Sequence, residues 1–171
     1  MKQTLPAMRP QDIVVLLKIL LEEGKSWTQL SLARALFMSQ SEISASLSRS
    51  HYARLLHDNG RKVVRQSFMD LLQYGVPFVF PQQPGNMVRG VPTAHSAAPL
   101  KKLIESTEHY VWPYAKGTVR GHGIQPLFNT VMQAVELDAQ LYELLALVDA
   151  VRVGKVREKN LALDMLRKRI C

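Results

Sequence analysis

The chain has 171 residues, enough for one domain or for one small domain with an appendage, and enough to bury a core without covalent staples. Its one cysteine, Cys171, excludes an intrachain disulfide and suits a reducing cytosol; MKQTLPAMRP lacks the apolar run of a secretory signal, and Ile13 to Leu21, interrupted by Lys18, is too short to cross a bilayer. Lys and Arg exceed Asp and Glu by 22 to 14, a formal net charge of +8, which favours a polyanionic partner, nucleic acid being the commonest, although an acidic protein meets the same charge.

The first predicted helix covers Pro10 to Glu23. Pro10 fits the first helical turn, and Asp12 suits the positive end of the helix dipole. Ile13, Leu16, Leu17 and Leu20 form one stripe, which Val14, Val15, Ile19 and Leu21 widen almost all round. A helix apolar on most faces is buried on most faces. Gly24 is a natural stop. Ser26 and Gln29 spell a capping box that opens a second helix, with Trp27 beside it as an apolar anchor.

Gln29 to Leu47, QLSLARALFMSQSEISASL, then reads as two short helices meeting at a corner. Leu32, Ala33 and Leu36 share one face of the first. The chain bends through Phe37 and Met38, and a second helix starts at Ser39, where Ser39 and Glu42 form another capping box. Ile43 and Leu47 lie one turn apart on its inner face. This pattern resembles bacterial winged helix-turn-helix transcription regulators of MarR-like layout, over residues 1–75 only. The resemblance makes Ala33 the small residue where the helices touch, and Met38, Ile43 and Leu47 core. One position departs from it: such families usually place Gly at the corner, and this chain has Phe37. A bulky residue strains a left-handed corner, so either the turn takes another shape or the first helix runs on.

Leu55 to Val64 reads as a β-hairpin turning at Asn59-Gly60, where a winged helix places its wing. Arg54, Arg61, Lys62 and Arg65 surround the turn, and Asp58 alone offsets them locally. Gln40, Ser41, Ser44, Ser48 and Arg49 point away from Ile43 and Leu47. Short hydroxyls, an amide and a guanidinium reach base edges and phosphates without blocking entry to a major groove. These nine residues are the candidate DNA contacts: Gln40, Ser41, Ser44, Ser48 and Arg49 from the helix, with Arg54, Arg61, Lys62 and Arg65 gripping the backbone.

A short helix is predicted over Ser67 to Tyr74, capped by Ser67 and stopped by Gly75, followed by a short or edge strand over Val76 to Phe80. Pro81 to Pro99 is punctuated by Pro and Gly and is expected to be irregular. A short helix around Leu100 to Glu108 precedes a second irregular stretch from Tyr110 to Gln125, whose Tyr110, Trp112 and Tyr114 are expected to bury against the core or a second subunit. Pro126 opens a helical region. Leu137, Leu141, Leu144, Leu145 and Val148 keep a helical period, and Gly154 breaks it. Val156 to Ile170 continues, with Leu163, Leu166 and Ile170 as a stripe among many basic residues. This tail is expected to be a dimer arm or a packed pair of helices.

Little chemistry is legible. The five histidines have no metal-ligand spacing, and no nucleophile arrangement stands out. Glu105, Glu108 and His109 read as surface. Gly117 to Gly123, GTVRGHG, lacks the Lys-Ser/Thr of a phosphate loop and reads as a tight chain path. No enzyme, cofactor or metal is expected.

The fold class expected is mainly α with a small β component. It comprises a winged helix-turn-helix at 1–75, a Pro/Gly-rich segment at 76–125 and C-terminal helices at 126–171 for dimerisation or partner binding. The function expected is a sequence-specific, homodimeric, double-stranded-DNA-binding transcription regulator in the cytoplasm, on the nucleoid. The rival is an antitoxin-like or assembly subunit that holds a protein partner with the same fold.

Overall fold

The computed structural model describes residues 5–57 and 59–171, so Asp58 of the predicted hairpin lies outside the described residues. The protein is mainly α with a small β part. Among the described residues eight α-helices run in order: α1 (Pro10–Leu21), α2 (Gln29–Leu36), α3 (Gln40–Tyr52), α4 (Arg65–Asp70), α5 (Val76–Val79), α6 (Val131–Leu137), α7 (Ala139–Val153) and α8 (Val156–Ile170). Three strands lie between α5 and α6: β1 (Met87–Pro92), β2 (Tyr110–Pro113) and β3 (Val119–Gly123). No helix of the described residues is long and apolar enough to cross a membrane.

The burial of α1 follows from its composition. Asp12 to Ile19 are all buried, and the helix packs on α2, α3 and α7. Asp12 accepts a hydrogen bond from the Arg9 amide at 2.8 Å, closing the helix start. The cap of α2 is not Ser26 but Thr28. Its hydroxyl accepts from the Ser31 amide at 3.0 Å, and the Ser31 hydroxyl accepts from the Thr28 amide at 2.8 Å. A second hydroxyl three residues on does the work expected of Gln29.

The corner between α2 and α3 takes neither of the shapes expected for a bulky residue. Phe37 itself adopts the left-handed conformation, φ 54° and ψ 38°, with its ring half out in solvent. An outside partner holds this geometry: the Thr130 hydroxyl donates to the Leu36 carbonyl at 2.7 Å, satisfying an orphan acceptor at the end of α2. Met38 and Ile43 are buried, whereas Leu47 is only half-buried against the core.

Four further expectations are corrected. First, the helix predicted from Ser67 starts at Arg65, and Gly75 does not stop it: a π turn, Leu71–Gly75, joins α4 to α5. Val76–Val79 is therefore helical rather than a strand, since the helical backbone already entering it outweighs the β preference of Val and Phe. Second, the two stretches read as irregular hold all three strands. Third, the helix predicted over Leu100 to Glu108 shrinks to a 3-10 turn, Leu100–Lys102. Fourth, Leu137 at the end of α6 is exposed, whereas Leu141, Leu144, Leu145 and Val148 of α7 are buried as expected.

The strands close on one another. β1 pairs antiparallel with β2 (Val91 opposite Trp112) and with β3 (Arg89 opposite Arg120), and β2 pairs in parallel with β3 (Tyr110 opposite His122). Three strands close only if backbones approach tightly. A Cβ at Gly90 would overlap the Trp112 carbonyl oxygen, and one at Gly121 would crowd His109. The segment GTVRGHG is thus the tight chain path expected of it.

α7 ties these parts together. It packs on α1, α5, α6 and α8, and nine of its residues are buried. The wholly buried Asp149 carboxylate accepts from the Trp112 indole N–H at 2.6 Å, from the Thr93 hydroxyl at 2.7 Å and from Arg152 at 2.8 Å. Burial pushes this carboxyl up from its ordinary value, against the pull of Arg152 and the two other donors. Trp112 and Tyr110 bury against the chain's own core, and Tyr114 packs partly against it. A single cluster of buried apolar residues runs from Ile13 through Leu72 and Trp112 to Ile170.

Candidate functional site

The outer surface of α3 and the loop that follows it hold the candidate residues. Ser39 fixes where α3 begins: its hydroxyl accepts from the Glu42 amide at 3.1 Å, and Glu42 accepts from the Ser39 amide at 2.8 Å. That turns Glu42 back toward the cap and leaves the next turn free. Gln40, Ser41, Ser44 and Ser48 are exposed, as the sequence pattern predicts. Not all the serine richness of α3 belongs to this face. Ser46 and Ser50 are buried, and their hydroxyls have no hydrogen-bond partner among the described residues.

Leu55 to Val64 does fold back on itself, but as a minimal hairpin. Its one bridge pairs Leu56 with Val63, flanked by bonds from the His57 amide to the Lys62 carbonyl and from the Val64 amide to the Leu55 carbonyl, each 2.9 Å. Gly60 takes a positive φ of 64°, as the turn requires. Arg54 enters the hairpin with φ 60°.

Four of the nine candidate side chains have other engagements; Ser41, though exposed, shares a 3.0 Å hydrogen bond with the Ser39 hydroxyl. Arg49 is not on the outer face: it lies largely buried and grips Asp12 of α1 with two hydrogen bonds, 2.9 and 2.7 Å. Those bonds raise its pKa above the ordinary arginine value despite burial. Arg65 opens α4 and bonds Glu23 and the Ile170 carbonyl, tying α4 to the end of α8. Arg61 stacks over the Trp27 ring, 4.7 Å from its centroid, and donates to the Trp27 carbonyl. It pins the hairpin to the loop before α2, although part of its length stays exposed.

Arg54 and Lys62 are exposed, and neither has a carboxylate partner among the described residues. Three residues missed by sequence reasoning join them. Arg34 is exposed on α2, and His51 and His57 are exposed beside the hairpin. Arg34 was detectable, since it sits between Ala33 and Leu36 on the side of α2 that the apolar pattern turns outward.

Between α3 and the hairpin runs an open groove of about 480 Å³. Ser44, Ser48 and His51 form one wall, Asn59 and Arg61 the other, with Leu47 and Trp27 also lining it. The arrangement presents hydrogen-bonding groups from a rigid helix and cations from an adjoining turn. No group of three or more His, Cys, Asp or Glu side chains gathers into a metal-binding arrangement among the described residues. Glu105, Glu108 and His109 are exposed.

No family model matches the chain, and no curated protein and no solved structure matches it.

Proposed function

We propose that the protein is a sequence-specific, non-enzymatic DNA-binding transcription regulator, with α3 entering the major groove and the Leu55–Val64 turn lying on the sugar-phosphate backbone. One observation carries this reading: the outer face of α3, with Gln40, Ser41, Ser44 and Ser48, stands open to solvent, and none of the described residues covers it. A helix that inserts into a groove needs such a slender polar face, and Gln with Ser offers the donor and acceptor groups that read base edges. Arg34, Arg54 and Lys62 flank it as phosphate contacts, with Arg61 as both strut and cation. The regulator acts from the nucleoid, as a homodimer spanning two half-sites about one DNA turn apart.

Selection of bound duplexes from a random pool tests this directly. The expected result is a recurring sequence. The affinity for that sequence falls with salt, the slope of log K against log salt being about −3 per chain, as three or four phosphate contacts require. A pool that yields no recurring sequence, or a flat salt response, removes the proposal. Sedimentation of the full chain with and without the selected duplex tests the pairing, and a monomer in both states removes the homodimer.

A further inference from the structure

A second surface, formed by the run from α4 to α5 and by α8, presents exposed apolar side chains. Three cross-links set α8 antiparallel to the helical run from α4 to α5. Arg65 donates to the Ile170 carbonyl, Arg167 donates to Gln73 at 2.7 Å, and Lys159 places its ammonium 5.8 Å from the centre of the Phe78 ring. Low numbers on one helix meet high numbers on the other. Tyr74 and Phe78, four residues apart, therefore follow one another along this seam, and Val156, one turn before Lys159, lies at its α8 end.

Tyr74, Phe78, Val79 and Val156 are between 60% and 77% exposed. A single exposed apolar side chain is ordinary, but Tyr74, Phe78 and Val79 exposed within six residues of one helical run, with Phe78 beside Lys159 of α8, mark a contact surface. The π turn at Leu71–Gly75 contributes to it. Its extra residue per turn changes the angular position of everything after it, so α5 offers Phe78 and Val79 to solvent while Val76 stays buried.

Charge decides the occupant. Lys155, Arg157, Lys159, Arg167 and Lys168 belong to this stretch of α8 and its cap, whereas Glu158 is buried and bonds the Lys155 amide at 2.8 Å. The carboxylates near this stretch are Asp164 on α8, Asp70, which is bonded by Gln66, and Glu23, which is paired with Arg65. A second copy of the chain would bring like charges together across the seam. We propose that the seam between α5 and α8 docks an acidic amphipathic segment of another protein, its apolar side chains on Tyr74, Phe78 and Val156 and its carboxylates on Lys159 and Arg167. The partner's apolar side chains would meet the exposed aromatic and aliphatic groups while the flanking charges set partner choice. It is independent of the DNA reading, because it uses none of the α3 or hairpin residues.

The test uses the full-length protein and fluorescence anisotropy with two labelled amphipathic peptides. Both carry Phe and Leu on one face; one has Asp and Glu on the other face, and the second has Lys and Arg there. The acidic peptide is expected to bind at least about 10-fold more tightly than the basic one. Phe78→Ser and Lys159→Glu should each weaken it by about 10-fold. Val156→Asp carries the same expectation should Phe78→Ser fail to fold. Lys62→Ala, outside the seam, should leave binding unchanged. Equal binding of the two peptides, or a loss seen with Lys62→Ala and not with the seam variants, overturns the proposal. So does self-association in sedimentation that Phe78→Ser abolishes.

Discussion

Arg49, in the last turn of α3, holds Asp12, in the first turn of α1, through two parallel hydrogen bonds of 2.9 and 2.7 Å. The pair sets the angle at which α3 leaves the core, because both side chains are short of freedom and nearly dry. Asp12 has no solvent exposure at all. Arg49→Ala should therefore destabilise the fold by about 3–5 kcal/mol, since it abandons a buried carboxylate. Arg49→Lys should recover only part, because an ammonium cannot match both carboxylate oxygens in one plane. Urea unfolding of the two variants checks the order wild type, Lys, Ala. Equal midpoints for all three would mean that the pair does not position α3.

Phe37 and Phe68 make a controlled contrast. Phe68 has no exposure, and its replacement by Ala should cost about 3–5 kcal/mol. Phe37 is 46% exposed and sits at φ 54°. Phe37→Asn loses part of an aromatic contact but relieves a left-handed residue, a strain of about 1–2 kcal/mol. The variant should unfold within about 1 kcal/mol of the wild type. A loss as large as that of Phe68→Ala would show that the ring, not the backbone, holds the corner.

Lys18 of α1 joins Asp138 at 2.8 Å and Glu22 at 2.7 Å. Burial alone would lower its pKa, but the two carboxylates outweigh burial and hold it above the ordinary lysine value. The bond from Lys18 holds the Glu22 carboxyl low. Burial pushes the Asp138 carboxyl up, yet Lys18 and the Leu141 amide bring it below its ordinary value. The stabilisation from the two carboxylates is thus complete above about pH 4.3 and is lost as pH falls through their folded values. That from Lys18 is complete below about pH 10.4 and is lost as pH rises through its folded value. Lys18→Met should lower the melting temperature between about pH 5 and 10, and the deficit should shrink below about pH 4. A deficit constant down to pH about 3 would assign the effect to packing rather than charge.

Within the proposed DNA complex, the two groups of contacts should separate in their effects. Lys62→Ala should weaken binding to all duplexes alike and reduce the salt slope by about 1. Gln40→Ala or Ser44→Ala should change which sequence is preferred, at about 1–3 kcal/mol for the affected base pair. Competition binding against single-base variants of the selected duplex reads both. Arg65→Ala should alter stability through its bonds to Glu23 and the Ile170 carbonyl, with little change in the salt slope.

The helices that were legible carry local signals. The Ser39–Glu42 box and the apolar girth of Pro10–Leu21 each lie within a few residues of what they specify. The strands were not legible, because what makes them strands lies elsewhere in the chain. Gly90, Pro113 and Gly121 look like loop residues until β1 meets partners about 20 to 35 positions away, where glycine at 90 and 121 is needed for room. The same holds for charge. Arg49, Arg61 and Arg65 read as open cations because Asp12, Trp27 and Glu23 lie 37, 34 and 42 residues off, and nothing in a local window joins them. Gln40, Ser41, Ser44 and Ser48 of α3 lie outward as helical periodicity predicts, whereas Arg49, assigned to the same face, does not.

The ring formed by β1, β2 and β3 leaves each strand hydrogen-bonded to the other two. A flat two- or three-stranded ribbon would offer unsatisfied amides at its rims, and those rims can template a passing chain into a growing fibril. Here the same few residues satisfy one another in a circle. The β portion of this chain is thereby shielded against seeding aggregates for as long as the glycines let the circle close.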